Sequence, residues 1–120
     1  MSGKRTVLLD FDGVIHSYTS GWQGISRVVD PPVPGVKKAI EKLRKNYRVV
    51  ICSSRCRDER GKDAVKEYLN KYGIVVDDIV YTKIPAFVQI DDRALTFEGK
   101  WDNNFLNKIK KFKPWTKSHK

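Results

Sequence analysis

Two carboxylates one residue apart, Asp10 and Asp12, follow directly on the apolar run Thr6-Val7-Leu8-Leu9, and Gly13 turns the chain after them. In an open α/β sheet the carboxyl ends of the strands form the ligand crevice, so acids at such an end face a site rather than the core. Two further strand-like runs end in the same way. Tyr47-Arg48-Val49-Val50-Ile51-Cys52 runs into Ser53-Ser54-Arg55, and Ala86-Phe87-Val88-Gln89-Ile90 runs into Asp91-Asp92-Arg93, with Lys83 just ahead of it. Acids, a hydroxyl and a lysine gathered at strand ends are the groups that magnesium-assisted phosphoryl transfer to an aspartate needs. A calcium loop also uses an acid-x-acid-Gly core, but the strand before Asp10 is wrong for an EF-hand and the closing Glu is missing.

The elements that must position these groups alternate between strand and helix. Pro31-Pro32-Val33-Pro34-Gly35 is a stiff connection into a helix whose apolar stripe is Val36, Ala39, Ile40 and Leu43. After the strand ending at Cys52, residues Lys62 to Tyr72 read as a second helix closed by Gly73. Ile79-Val80-Tyr81 is a short third strand, Phe87 to Ile90 the fourth, Leu95-Thr96-Phe97 a fifth, and Asn103 to Phe112 a last helix. Between Val14 and Asp30, two glycines, Trp22 and several β-branched residues predict a hairpin. Alternation of this kind implies a parallel sheet with right-handed crossovers.

The order and spacing of Asp10-Phe11-Asp12-Gly13-Val14-Ile15, Ser53, Lys83 and Asp91-Asp92 resemble the four motifs of the haloacid dehalogenase-like superfamily, which is mostly phosphatases. The resemblance covers about Thr6 to Arg93. It implies an α/β Rossmann-like fold of three layers, α/β/α, with strand order 3-2-1-4-5. The segment 14–30 would be the flap, and no gap between motifs is long enough for a cap domain. It also implies roles. Asp10 would be the nucleophile that forms an aspartyl-phosphate, and Asp12 the acid and base, its backbone carbonyl also a metal ligand. Ser53 would bond a phosphoryl oxygen, and Lys83 would offset charge on the phosphoryl group. Asp91, supported by Asp92, would complete a Mg2+ shell with Asp10. The segment Ile90-Asp91-Asp92-Arg93 further resembles polynucleotide 3′-phosphatases, small deoxynucleotidases, and small bacterial and phage members of the superfamily.

Several residues admit two readings. Ser54 could replace Ser53, and Arg55 and Arg93 are either salt-bridge partners of the acids or extra phosphate binders. Trp22 braces the hairpin or stacks on a base. His16 and His119 read as exposed polar residues, Cys52 as a buried strand residue and Cys56 as a loop thiol. Neither cysteine has Arg six residues later, since Asp58 and Lys62 stand there, which excludes a cysteine-phosphatase loop.

At 120 residues the chain is read as a single domain, 1–120. Two cysteines are too few for a disulfide framework or a structural zinc site, and no segment is apolar for long enough to span a bilayer. A cytoplasmic protein with no membrane or protein partner is expected. The formal charge of +10 points to a phosphate-rich substrate, a nucleotide or a nucleic-acid end. Lysines concentrate in the segment 108–120, where Phe112 and Trp115 interleave with them. Such a segment holds single-stranded nucleic acid through phosphate contacts and stacking, or it is a solvated face with both aromatics docked on the core. The competing function is a binding module with this fold, weak or inactive as a catalyst, that holds nucleic acid with its lysines.

Overall fold

In the computed structural model, which describes residues 3–116, the run after the N-terminus forms the central strand, β1 (Arg5–Leu9). Its last three residues are buried, as the unbroken apolar pattern of a parallel strand requires. β2 (Tyr47–Cys52) lies parallel beside it, from Arg5↔Tyr47 to Leu9↔Ile51. β3 (Asp78–Val80) pairs with the outer side of β2, and β4 (Val88–Ile90) pairs with the other side of β1, from Val7↔Val88 to Leu9↔Ile90. The sheet order is therefore 3-2-1-4, all parallel.

The helix α1 (Val36–Arg44) joins β1 to β2, and α2 (Glu59–Tyr72) joins β2 to β3. Both crossovers step the same way across the sheet, so right-handedness puts both helices on one face. The core agrees. Val7, Leu9, Val49 and Ile51 pack with Ile40 of α1 and Val65, Tyr68 and Leu69 of α2, whereas Leu8 and Val50 are buried outside that cluster. α2 starts a turn earlier than its apolar pattern predicts, because the Asp58 carboxylate accepts the backbone N–H of Arg60 at 2.8 Å and caps the helix. It ends as expected at Gly73, whose φ of 67° lets its N–H turn back to the last carbonyls.

The fifth strand expected at Leu95-Thr96-Phe97 is not formed. β4 is an edge strand of three exposed residues, and Phe97 packs against Trp101 and Phe105 at ring distances of 5.0 and 5.3 Å instead of extending the sheet. α3 (Asn103–Lys111) follows, capped by Asp102, and buries none of its residues, so the helical layer on the core is the one that α1 and α2 build. Nor is the segment 14–30 a hairpin. It is an irregular loop with single bridges at Asp12↔His16 and His16↔Pro32, its path fixed by side chains that bond its backbone. No helix among the described residues is long and apolar enough to cross a membrane. Lys117, Ser118, His119 and Lys120, the end of the basic segment, lie outside the described residues.

Candidate active site

The parallel register brings the ends of β1, β2 and β4 level, so Asp10, Ser53 and Asp91 emerge at one rim of the sheet. Asp10 extends the ladder by one step, its N–H donating to the Ile90 carbonyl at 2.9 Å. Its Oδ1 then accepts the Phe11 N–H at 2.9 Å, which fixes the carboxylate, and the Asp10 side chain also hydrogen-bonds that of Asp92. Asp91 is set by the Arg93 N–H at 2.9 Å, and Gln89 Nε2 donates to its other oxygen at 3.3 Å. Asp92 reaches inward because Gly13 lacks a side chain: a Cβ there would overlap the Asp92 carboxylate, and the φ of 87° suits glycine.

Asp10, Asp91 and Asp92 each offer an oxygen, and these three atoms all lie within 4.8 Å of one another. Such a cluster could hold a metal ion. A magnesium octahedron has ligand oxygens about 2.9 to 4.2 Å apart, from bonds of about 2.1 Å, and it prefers a few carboxylates with the remaining positions taken by water. The donor set fits. Electrostatics agrees with that: burial, then the Asp91 and Asp92 carboxylates, push Asp10 up from 3.8 to about 8, and burial raises Asp92 as well. A cation among them would relieve that repulsion.

Asp12 stands apart from the cluster, and its carboxylate is held from behind. Arg55 donates to Oδ2 through Nε at 3.1 Å and Nη2 at 2.9 Å, and His16 Nδ1 lies 2.7 Å from Oδ1. The Asp12 carboxylate is therefore engaged by Arg55 and His16 and is not one of the three that cluster. The tautomer of His16 follows from its partners. Its Nε2 faces the backbone N–H of Asp30 at 3.0 Å, which can only donate, so the ring proton is on Nδ1 and is given to Asp12. The ring is stacked among Phe11, Tyr18 and Tyr68.

His16, 1 % exposed, is thus not the surface residue the sequence suggested. Its place could have been read from Asp12 four residues before it, but the spacing gained meaning only once the chain turned at Gly13. For Arg55 the two readings resolve to an ion-pair partner. The residue is 2 % exposed, and its Nη1 also donates to the carbonyls of Gly24 at 2.8 Å and Ile25 at 2.9 Å. One buried guanidinium ties the loop 14–30 to the Asp12 carboxylate. The exposed Trp22 ring lies over the same guanidinium, 4.6 Å away.

Ser53 is buried at the end of β2, where its Oγ accepts the Arg55 N–H at 3.3 Å and caps a single 3-10 turn, Ser54–Arg57. Its hydroxyl hydrogen stays free to donate, while Ser54 points outward. Lys83 is exposed on the connection between β3 and β4; its charge reaches Cys52 together with those of Asp10 and Asp91, but it forms no ion pair with either acid. Burial, then Asp10 and Asp91, push the Cys52 thiol up, as befits an inert side chain. Cys52 is half-buried, and Cys56, expected as a loop thiol, is buried.

The C-terminal segment returns to the same place. The indole N–H of Trp115 donates to the Gly13 carbonyl at 2.6 Å, and the ring remains exposed rather than docked on the core. No family model, curated protein or solved structure matches this chain.

Proposed function

We propose that this protein is a magnesium-dependent phosphomonoesterase of the haloacid dehalogenase type that works through an aspartyl-phosphate, with a nucleotide or nucleic-acid end phosphate as substrate. The observation that carries this reading is the meeting of Asp10, Asp91 and Asp92 at one sheet rim, with Asp12 fixed separately beside them. Asp10, Asp91 and Asp92, with the backbone of Asp12, would hold the ion, which supplies charge neutralisation for the transferring phosphoryl group.

The chain's own groups account for the remaining steps. The Asp10 oxygen not bonded to Phe11 N–H attacks phosphorus in line, and the ester P–O bond breaks as the leaving oxygen takes a proton from Asp12. Asp12 then removes a proton from water, which attacks the phosphorus of the acyl phosphate, frees phosphate and restores Asp10. To carry a proton Asp12 must release one of its two donors. His16 is the one that yields, since one imidazole N–H costs less to leave unpaired than a buried guanidinium does. Ser53 donates to a phosphoryl oxygen, and Lys83 swings in from its exposed position when the substrate's charge arrives. The basic surface, at +10, draws in polyanions.

The test is phosphate release from nucleoside monophosphates and from 3′- and 5′-phosphorylated oligonucleotides, with magnesium and with EDTA. Asp10→Asn is expected to lower turnover by at least about a thousandfold with an unchanged circular dichroism spectrum, because an amide keeps the shape but cannot attack. EDTA should abolish activity and magnesium restore it. A folded Asp10→Asn protein that turns over like wild type would remove the mechanism, and wild type that binds oligonucleotides without releasing phosphate would favour the binding-module reading.

A further inference from the structure

The contact between Trp115 and Gly13 joins the two ends of the described chain at the catalytic turn. Gly13 is the residue whose missing Cβ admits the Asp92 carboxylate, and it directly follows Asp12. The Trp115 ring is therefore fixed to the turn that carries the proposed nucleophile and acid. Pro114 before it restricts the backbone that delivers it.

The indole has a single polar group, and the Gly13 carbonyl occupies it. Trp115 is nevertheless 54 % exposed, so what it shows to solvent is apolar π surface on the turn next to the acid cluster. A tryptophan used only to fill the core would be buried, and a hydrogen bond alone does not need a bicyclic ring. Lys110, Lys111 and Lys113, all exposed, precede it in the chain. An aromatic surface held at the turn beside the acid cluster, on a lysine-rich segment, matches a ligand that is flat at one end and anionic at the other.

We propose that Trp115 is the stacking platform for the base of a nucleoside phosphate whose phosphate occupies the Asp10 site, which selects nucleoside phosphates over sugar phosphates. The inference rests on the phosphatase reading for the position of the phosphate, and it goes further in assigning the recognition of the leaving group to the C-terminal segment.

The experiment compares adenosine 5′-monophosphate, adenosine 3′-monophosphate and a 3′-phosphorylated dinucleotide with ribose 5-phosphate, in wild type, Trp115→Ala and Trp115→Phe. The readout is the ratio of kcat/KM for each nucleoside phosphate to that for ribose 5-phosphate. Trp115→Ala should lower this ratio about tenfold, the scale of one base stacked on an aromatic ring. Trp115→Phe, which loses the bond to Gly13 but keeps a π face, should retain most of the preference. Which of the three nucleoside phosphates loses most tells a free nucleotide from a polymer end. If Trp115→Ala lowers all four substrates alike, Trp115 is only a clamp on the turn and the platform is rejected. The same ratio is measured as affinities by titration calorimetry with magnesium. Wild type that binds without turnover would defeat the phosphatase reading yet leave the platform to be judged on binding, and a wild type with no preference for the nucleoside ligands would overturn it.

Discussion

Two regions meet at the turn Asp10–Gly13, and they are built in opposite ways. Behind it, Arg55, His16 and Asp30 form a buried polar network in which each donor has an acceptor: Arg55 serves Asp12 and three loop carbonyls, His16 joins Asp12 to the Asp30 N–H, and Tyr68 Oη donates to the Asp30 carbonyl at 2.9 Å. In front of it, the arm from Arg93 to Trp115 is mostly exposed and holds itself together by ring contacts among Phe97, Trp101 and Phe105 at 5.0 to 5.3 Å. Position demands the first kind of construction, because a fully satisfied network in a low dielectric allows one arrangement. Recognition demands the second, because a surface that is already covered binds nothing. On the proposed function, the acid to be aimed is in the buried region, and the aromatic and basic groups that would meet a ligand are in the exposed one.

The sharpest way to break this contrast is to truncate one residue in each region. Arg55→Ala strips Asp12 of its guanidinium partner and the Gly24 and Ile25 carbonyls of their donor, and should cost about 3 to 5 kcal/mol of stability. Arg55→Lys should recover little, since one ammonium cannot reproduce the fork that serves all three acceptors. Trp101→Ala, at a residue 74 % exposed, should cost about 1 kcal/mol or less. Urea unfolding of the three variants gives the comparison directly. Should Arg55→Ala prove no worse than Trp101→Ala, the buried network would not be what fixes the site.

The second comparison concerns the acid cluster with and without its cation. Asp10 has a folded value of about 8 against 3.8 for the free side chain, so between those limits the folded metal-free protein holds a proton that the unfolded chain has lost. Stability from this group is full below 3.8 and disappears as pH rises through 8. The melting temperature of EDTA-treated protein should therefore fall over that window, and magnesium should flatten the slope by favouring the ionised cluster. Asp10→Asn should flatten it without metal. An identical slope in Asp10→Asn would show that the pH dependence arises elsewhere.

Much of this was legible because it depends on local pattern. β1 and β2 follow from runs rich in apolar residues, α1 from the spacing of Val36, Ile40 and Leu43, and the acid cluster from carboxylates placed just after the runs that form β1 and β4. What failed depends on the path of the chain between elements. The loop 14–30 has no alternating pattern that could pair with itself, and its shape comes from Arg55, a residue of another segment. His16 is buried because the loop carries Asp30 back to it, a contact across 14 residues that periodicity does not encode. The false fifth strand had a warning in the sequence. Phe97, Trp101 and Phe105 are spaced by four, which offers Phe97 ring partners of its own, while β4 offers only a three-residue edge.

The smallest expected effect separates the charge of the exposed arm from its aromatic surface. Lys110, Lys111 and Lys113 precede Trp115, and if a polymer end runs along them, each lysine near a phosphate releases counterions on binding. Replacing the three with Gln should raise KM for a phosphorylated oligonucleotide and make it less dependent on salt, while kcat on a mononucleotide stays close to wild type, because these lysines contribute binding that is equal in the ground and transition states. A mononucleotide carries one phosphate, which on the proposed mechanism the acid cluster and Lys83 would take, so its own salt dependence should scarcely change. Initial rates at several salt concentrations, with both substrates and both proteins, give the four slopes. Equal slopes for wild type and the triple variant on the oligonucleotide would reject the lysines as a strand-binding surface and leave the base platform at Trp115 as the arm's whole contribution to recognition.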